Sequence, residues 1–230
     1  MKVNRSILPP GRIGLAVSGG SDSVALMFLL TKGGKKKNAA KRFVVLHVDH
    51  GLRRESKDEY KFVRALAKRL GIPFKGCHAK VSQRRRESLE MAARRVRLDF
   101  FEKQTKLLKL DAIATGHHMD DVAETFLMRI RRASGPDGLA GIKETSRVGA
   151  IRFARPLLGC RDAELKDYLR KYGEEWIEDA SNDDVSIERN KVRHTVIPFL
   201  EKTLDPNLVE HIFRITQNLM APRRCVRGSQ

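Results

Sequence analysis

The chain has 230 residues, 41% of them hydrophobic and 32% charged, with a formal net charge of +18. That mixture supports a packed core rather than a charged disordered chain, and no window approaches the ~18–20 consecutive apolar residues of a membrane span. Cys77, Cys160 and Cys225 lie far apart with no CxxC or Cys/His cluster. This argues against a disulfide scaffold, a zinc knuckle and a cysteine-bound iron–sulfur cluster, and for a reducing compartment such as a bacterial cytoplasm or an organelle interior.

Residues 1–12 lack the apolar stretch of a secretory signal. Ile13-Gly14-Leu15-Ala16-Val17 then reads as a short buried strand, ending in Ser18-Gly19-Gly20-Ser21-Asp22-Ser23. Val24, Leu26, Phe28, Leu29 and Leu30 follow a helical pattern, which the basic stretch Gly33 to Asn38 breaks as a surface loop. Phe43 to Val48 is a second buried strand without polar alternation. Residues 56–70 form a helix with Tyr60, Val63, Leu66, Ala67 and Leu70 inward, closed by Gly71. A weak strand from Pro73 to His78 precedes the basic loop Ser82 to Arg86.

A helix from about Glu87 to Leu110 buries Leu89, Ala92, Ala93, Val96 and Phe100. Ala112 to Thr115 is a strand, ended by Gly116-His117-His118. Asp120 or Asp121 opens the next helix, whose apolar face is Val122, Phe126, Leu127 and Ile130. A Gly/Pro-rich loop (Ser134 to Gly141), a strand through Phe153 to Leu158 and a helix from Asp162 to Tyr172 follow. The last 55 residues look helical and finish in a basic tail. Strand and helix alternate at least four times, which specifies an α/β fold: a doubly wound parallel sheet with helices on both faces, plus a small C-terminal helical annex. Residues 1–175 form the main domain, 176–221 the annex and 222–230 the tail.

Charge is unevenly spread along this framework. Residues 1–115 hold 27 Lys+Arg against 10 Asp+Glu, a surplus of 17, whereas the remainder is near balance at +1. A half so positive is an electrostatic footprint for a polyanion. Nucleic acid fits better than an anionic lipid surface, because no amphipathic helix joins a basic face to exposed Trp or Phe.

In open parallel sheets ligands bind beyond the carboxyl ends of the strands. Three polar clusters fall there: Ser18 to Ser23, His47 to Gly51, and Gly116 to Asp121. In Ser18-Gly19-Gly20-Ser21-Asp22-Ser23 the glycines let the backbone bend, and the following helix N-terminus favours phosphate. It is not a Walker A loop, since no Gly-Lys-Ser/Thr ends it. Asp22 would repel phosphate unless a cation bridges them, and Mg²⁺ is the natural bridge. The plainer alternative is a Gly-rich turn whose serine and aspartate cap the helix.

The segment SGGSDS resembles the PP-loop of N-type ATP pyrophosphatases, which cleave ATP between the α and β phosphates and adenylate an acceptor. With HVDHGLRRES (His47 to Ser56), GHHMDDVAETFLMRIRRASG (Gly116 to Gly135), ARPLL (Ala154 to Leu158), EDASNDD (Glu178 to Asp184) and RNKVRH (Arg189 to His194), the chain is similar to tRNA(Ile)-lysidine synthetases over most of residues 10–205. Members of that family adenylate C2 of the wobble cytidine of a CAU-anticodon tRNA(Ile), and the ε-amine of L-lysine then displaces AMP.

The resemblance implies ATP held by Ser18, Gly19, Gly20, Ser21, Asp22 and Ser23, with Mg²⁺ near Asp22, and adenine bordered by the strand end at His47 and Asp49. Glu90, Arg94 and Arg97 match the charged positions of the family's Glu-Ala-x-x-Arg-x-x-Arg helix, where Arg94 would stabilise charge on the α-phosphate. The plainer reading there is a Glu90–Arg94 ion pair on an exposed face. Asp121 and Glu124 would meet the lysine ammonium, with His117 or His118 as a nearby base. Arg129, Arg131 and Arg132 would face the anticodon loop, with Ala133 standing where the family commonly has glycine. Further phosphate contacts would come from Lys35 to Lys37, Arg53, Arg54 and Arg84, Arg85 and Arg86. Asp179, Asn182, Arg189, Asn190 and Arg193 look like a structural polar network. A cytoplasmic location follows. A PP-loop tRNA thiolase fits less well, because the usual paired cysteines are missing. A small-molecule amidating enzyme fits neither the basic half nor the GHHMDDVAET segment, and a non-catalytic nucleotide- or RNA-binding module of the same fold is the remaining alternative.

Overall fold

The computed structural model describes residues 1–32, 36–49, 56–79, 81–85, 87–178, 184 and 186–221. His50, Arg53, Arg54, Arg86, Lys35, Asp179, Asn182 and the expected basic tail lie outside the described residues, as do the side chains of Lys36 and Lys37. The strands are β1 (Ile13–Ala16), β2 (Phe43–Asp49), β3 (Phe74–His78), β4 (Ala112–Ala114), β5 (Thr145–Val148) and β6 (Ile151–Ala154). They form one sheet in the order β3-β2-β1-β4-β6-β5, parallel except for the β5–β6 hairpin. The chain runs outward from β1 through β2 to β3, then returns to place β4 on the other flank of β1. The strand order therefore reverses between β1 and β4, where such sheets open a crevice.

The helices are α1 (Ser21–Thr31), α2 (Lys36–Arg42), α3 (Ser56–Leu70), α4 (Leu89–Leu108), α5 (Met119–Arg131), α6 (Pro136–Leu139), α7 (Asp162–Lys171), α8 (Glu188–Lys191), α9 (Ile197–Thr203) and α10 (Leu208–Met220). Alternating side chains sort the sheet residues between two cores. Ile13, Leu15, Phe43, Val45, Ala112 and Ala114 pack with α1, α3 and α7 through Val24, Leu66, Leu165 and others. Val44, Leu46, Ile113, Ile151 and Phe153 point the other way, onto Phe101 of α4. The strands are short and buried on both faces, as their unbroken apolar runs require. Buried Glu174 is held by Lys32 at 3.3 Å and by Arg69.

Contacts divide the chain into two compact units that do not follow chain order. The first comprises Met1–His118 and Glu144–Asp179, and the second Met119–Lys143 and Ala180–Gln230. The expected division at residue 175 is linear, whereas the observed units interleave: α5 and α6 cluster with the C-terminal helices. Their core is Ala123, Phe126, Ile197, Val209 and Ile212. Between α8 and α9 the backbone widens into a π-helical turn, Val192–Val196, in which the Ile197 N–H donates to the Val192 carbonyl. Pro198 accounts for it, because its ring excludes the carbonyl four residues back.

Several boundaries differ from the sequence reading. Lys36 to Asn38 belong to α2 rather than to a loop, and Pro136 to Leu139 form a single helical turn inside the expected Gly/Pro-rich loop. The helix expected from Asp120 or Asp121 begins at Met119, which puts both acids inside its first turn rather than at its cap. The strand expected through Leu158 ends at Ala154, and its hairpin partner β5 was not expected. Thr-Ser-Arg-Val is short, polar and mostly exposed, so it carries no buried-strand pattern.

Candidate active site

The loop between β1 and α1 sits at the strand-order reversal. Gly19 has φ +111°, a conformation that favours glycine, and its carbonyl accepts from the Ile177 N–H at 3.0 Å. Ser23 is buried, and its hydroxyl oxygen lies 3.1 Å from the Ser18 N–H and 3.2 Å from the Gly19 N–H while donating to the Gly20 carbonyl at 2.9 Å. Ser23 is thus an inner strut that shapes the loop, and the N–H groups of Ser18 and Gly19 are turned to it. No side chain caps α1. Its first-turn N–H groups, at Ser21, Asp22 and Ser23, are left as the donors such a helix start offers an anion. Gly116 closes the cradle from the β4 side. A Cβ there would stand 2.9 Å from the Asp22 carbonyl carbon and oxygen, so only glycine permits this approach.

Asp22 is half-buried. The Nε2 of buried His118 lies 3.5 Å from Asp22 Oδ2, and the Ser21 hydroxyl donates to Oδ1 at 3.3 Å. Asp162, in the first turn of α7, joins them: one ligand atom from each of Asp22, His118 and Asp162 lies within 4.8 Å of the others. Two carboxylates there suit a hard divalent cation such as Mg²⁺, with the imidazole a less natural ligand for it. Sequence reasoning missed Asp162 and treated His118 only as a base. The available signal was an acid opening a helix just after a strand leaves the sheet's carboxyl edge. His117 is half-buried and shares a hydrogen bond of 2.8 Å with the Thr115 hydroxyl.

At the end of β2 both expected adenine-side residues have engaged side chains. His47 is buried, and its Nδ1–H donates to the Val17 carbonyl at 2.8 Å, which fixes the tautomer. Burial is the main cause of its lowered pKa, opposed by that carbonyl. Buried Asp49 accepts from His78 at 2.6 Å across the β2–β3 register, and Tyr60 stacks on His78 with centroids 4.3 Å apart.

On α4, Arg94 and Arg97 are exposed. Neither makes an ion pair among the described residues, so the Glu90–Arg94 pair is not formed. The basic loop before α4 is pinned by Glu87, which takes the Arg84 N–H at 3.0 Å and the Arg95 guanidinium at 2.9 and 3.0 Å. Those bonds, Arg95 foremost, hold the Glu87 carboxyl down at about 2. Arg84 and Arg85 remain exposed.

In the second unit, Asp121 and Glu124 share a face of α5 with two arginines brought 65 to 72 residues along the chain. Fully buried Glu124 receives Arg189 Nε at 2.7 Å and Arg193 Nε at 2.5 Å, and Asp121 receives their Nη2 atoms at 2.8 and 3.3 Å. Two acids and two guanidiniums leave the cluster neutral. Arg129 donates to the Gly138 carbonyl and braces the loop between α5 and α6. Arg131 and Arg132 are exposed and meet Glu188 at 2.6 and 3.7 Å. Ala133 has φ +49°, the left-handed conformation that glycine adopts freely.

A parallel sheet with its order reversed at β1, a glycine-bent loop there and an uncapped helix start define a nucleotide-binding α/β protein. Residues 2–200 match the PP-loop domain family, and the chain belongs to that ATP-binding family. It is 42% identical over 200 residues to the tRNA(Ile)-lysidine synthase of Solibacter usitatus, covering 86% of this chain and 43% of that one. It is 43% identical over 199 residues to the tRNA(Ile)-lysidine synthase of Thermus thermophilus, covering 85% and 37%. The chain thus spans about two fifths of the length of these curated relatives. A solved structure of the U34-tRNA thiolase NcsA from Methanococcus maripaludis, with its [4Fe-4S] cluster, has the same fold: TM-score 0.71 at 18% identity, covering 95% of this chain and 74% of that one. Among the described residues no helix is long and apolar enough to cross a membrane.

Proposed function

We propose that this chain carries the catalytic region of a tRNA(Ile)-lysidine synthase acting in the cytoplasm. The cytidine O2 attacks the α-phosphorus of ATP and releases diphosphate. The ε-amine of L-lysine then adds at C2, loses a proton and expels AMP with that oxygen, leaving lysidine in the CAU anticodon. The observation that carries this reading is the 42–43% identity, over most of the chain, to relatives bearing that name.

In this reading the first turn of α1 binds the diphosphate portion of ATP, and the backbone at His47 to Asp49 borders the adenine. Asp22, with Asp162, would hold Mg²⁺, which when bound neutralises charge on the phosphates. Arg94 faces the charge that develops on the α-phosphate. At pH 7 the lysine ε-amine, with a reference pKa of about 10.4, needs roughly 4–5 kcal/mol to lose its proton. His117 is the better-placed acceptor of that proton, since His118 is buried against Asp22. Asp121 is the carboxylate offered to the lysine ammonium, while Glu124, with both oxygens on guanidiniums, positions the two arginines. Exposed Arg84, Arg85, Arg131 and Arg132 meet the RNA backbone, with Arg86 and Arg129 beside them in sequence. A thiolase would need reactive sulfur, and among the described residues burial raises the pKa of Cys77 and of Cys160.

The test is AMP release from ATP with CAU-anticodon tRNA(Ile), with and without L-lysine, read beside the mass of the tRNA. Lysine-dependent gain of mass with AMP release is expected. AMP release with sulfur incorporation, or none with any tRNA, would overturn the reading.

A further inference from the structure

Three side chains from separate segments converge at the start of α1, and together they do not suit the cation that the carboxylates alone would choose. Asp22 lies in the first turn of α1, Asp162 opens α7, and His118 follows β4. Each carboxylate taken singly complements the dipole of its own helix. The imidazole has no such reason to be there. His118 is 1% exposed, and its Nε2 is aimed at Asp22 Oδ2 across 3.5 Å. Gly116 permits that approach, because a Cβ there would stand 2.9 Å from the Asp22 backbone carbonyl. One donor atom from each of the three residues lies within 4.8 Å of the other two. The Cys160 thiol, two residues before Asp162, is turned to the Lys2 carbonyl at 3.3 Å, so the donors are nitrogen and oxygen.

Spacing distinguishes the kinds of ion that fit among them. The 3.5 Å between His118 and Asp22 is longer than the ~2.7–3.2 Å of a good hydrogen bond from nitrogen to oxygen. Zn²⁺, with tetrahedral bonds of about 2.0–2.2 Å, sets neighbouring ligand atoms about 3.3–3.6 Å apart. Octahedral Mg²⁺, with bonds of about 2.0–2.1 Å, sets them about 2.8–3.0 Å apart. His118 and Asp22 stand at the tetrahedral spacing. Buried His118 is the fixed point, whereas the side chains of Asp22 and Asp162 are 36% and 35% exposed and can turn to close the set. That exposure also leaves a fourth position open to water or to a phosphate oxygen. Lys166 holds Asp162 Oδ2 at 2.9 Å, one turn along α7, in a surface pair that costs little to displace.

We infer that Asp22, His118 and Asp162 form a site for a borderline dication such as Zn²⁺ or Co²⁺, held by the protein before nucleotide arrives and in preference to Mg²⁺. Imidazole nitrogen favours such ions, whereas Mg²⁺ prefers oxygen and keeps its waters unless phosphates help to hold it. Three protein ligands with one open position are also the complement of an open zinc site. This deepens the proposed function, and rests on it for the nucleotide alone, by naming the cation of the diphosphate site. The two carboxylates still accept Mg²⁺ where nothing tighter is present.

The test reads metal binding apart from turnover. The full chain is stripped with a chelator and, with no nucleotide present, titrated with Zn²⁺ and Mg²⁺ by calorimetry and with Co²⁺ by visible absorption, with melting curves alongside. One Zn²⁺ or Co²⁺ per chain should bind at least about a hundredfold more tightly than Mg²⁺, and the cobalt bands should have the intensity of a tetrahedral site. His118→Gln should lose at least about tenfold in Zn²⁺ affinity and change Mg²⁺ by less than about threefold, whereas Asp162→Asn should weaken both ions. Mg²⁺ bound as tightly as Zn²⁺ overturns the proposal. So does a Zn²⁺ affinity that either substitution leaves unchanged, because the ion then sits elsewhere. If His118→Gln does not fold, full-strength Zn²⁺ binding by Asp162→Asn, at a partly exposed helix start, overturns it alone. A chain that binds Zn²⁺ through His118 yet never joins lysine to tRNA overturns the proposed function and leaves the cation site standing. A chain that makes lysidine with Mg²⁺ and binds no Zn²⁺ through these residues overturns the cation site and leaves the proposed function standing.

Discussion

Glu124→Gln puts the charge cluster on α5 to a quantitative test. The substitution keeps the side chain's shape and one acceptor oxygen, removes the charge, and sets an amide N–H₂ against guanidinium donors. Glu124 is fully buried, with its two oxygens at 2.7 and 2.5 Å from the Nε atoms of Arg189 and Arg193. Breaking a buried pair by removing one partner costs about 3–5 kcal/mol. Here the arginine side chains are 40% and 33% exposed and can rehydrate, which discounts the loss to about 2–3 kcal/mol. At roughly 2–4 °C per kcal/mol for a chain of this size, the melting temperature should fall by about 4–12 °C. Thermal melts followed by far-ultraviolet circular dichroism read it, with urea unfolding beside them because a chain of two units need not melt in one step. Asp121→Asn touches the same guanidiniums, so the double variant should lose less than the sum of the singles. A fall under about 2 °C, or strict additivity, would refute a coupled buried network.

The other predictions concern the first unit and the α5–α6 loop. Gly116→Ala drives a Cβ to 2.9 Å from the Asp22 backbone; it should cost about 1–3 kcal/mol in melts and weaken ATP binding measured by calorimetry. Asp22→Asn should abolish AMP release while leaving tRNA binding nearly intact, and an unchanged rate would remove Asp22 from the mechanism. Burial lowers the folded pKa of His47 below its ordinary 6.5. The unfolded chain therefore takes up a proton that the folded ring resists, so this contribution is complete above pH 6.5 and is lost as pH falls below it toward the folded value. His47→Gln should flatten the decline of the urea midpoint below pH 6.5, and an unaltered decline would refute it. Ala133→Gly relieves a left-handed alanine and should stabilise by about 0.5–1 kcal/mol, a rise of about 1–4 °C in melts.

Local pattern made much of this fold legible, and distance along the chain hid the rest. Apolar runs located β1, β2 and β4 because strands buried on both faces show no alternation, and the helix at 56–70 was plain from its spacing and Gly71. β5 escaped because an exposed edge strand of Thr-Ser-Arg-Val owes its pairing to β6, not to its own residues. The cradle and the histidines could be read because each lies in one short segment. The partners of Glu124 could not: Arg189 and Arg193 reach it only through the packing of α5 against the C-terminal helices and the widened turn before Pro198. Asp162 was hidden for the same reason, since only the sheet order brings its segment toward the β1 loop. Ala133 was legible as a departure from glycine, and its positive φ is the physical content of that departure.

The Ser23 strut has a consequence for how quickly a nucleotide is captured. Fixing one residue's backbone costs about 1–2 kcal/mol of conformational freedom. The bonds from Ser18 and Gly19 to the Ser23 hydroxyl, and from Ser23 to Gly20, place that ordering in folding rather than in binding. The loop thus arrives already shaped, and an incoming phosphate chain meets donors that need not be recruited from a mobile segment. Association can then be governed by diffusion and by the positive field of the N-terminal half, with no slow loop closure on the way in.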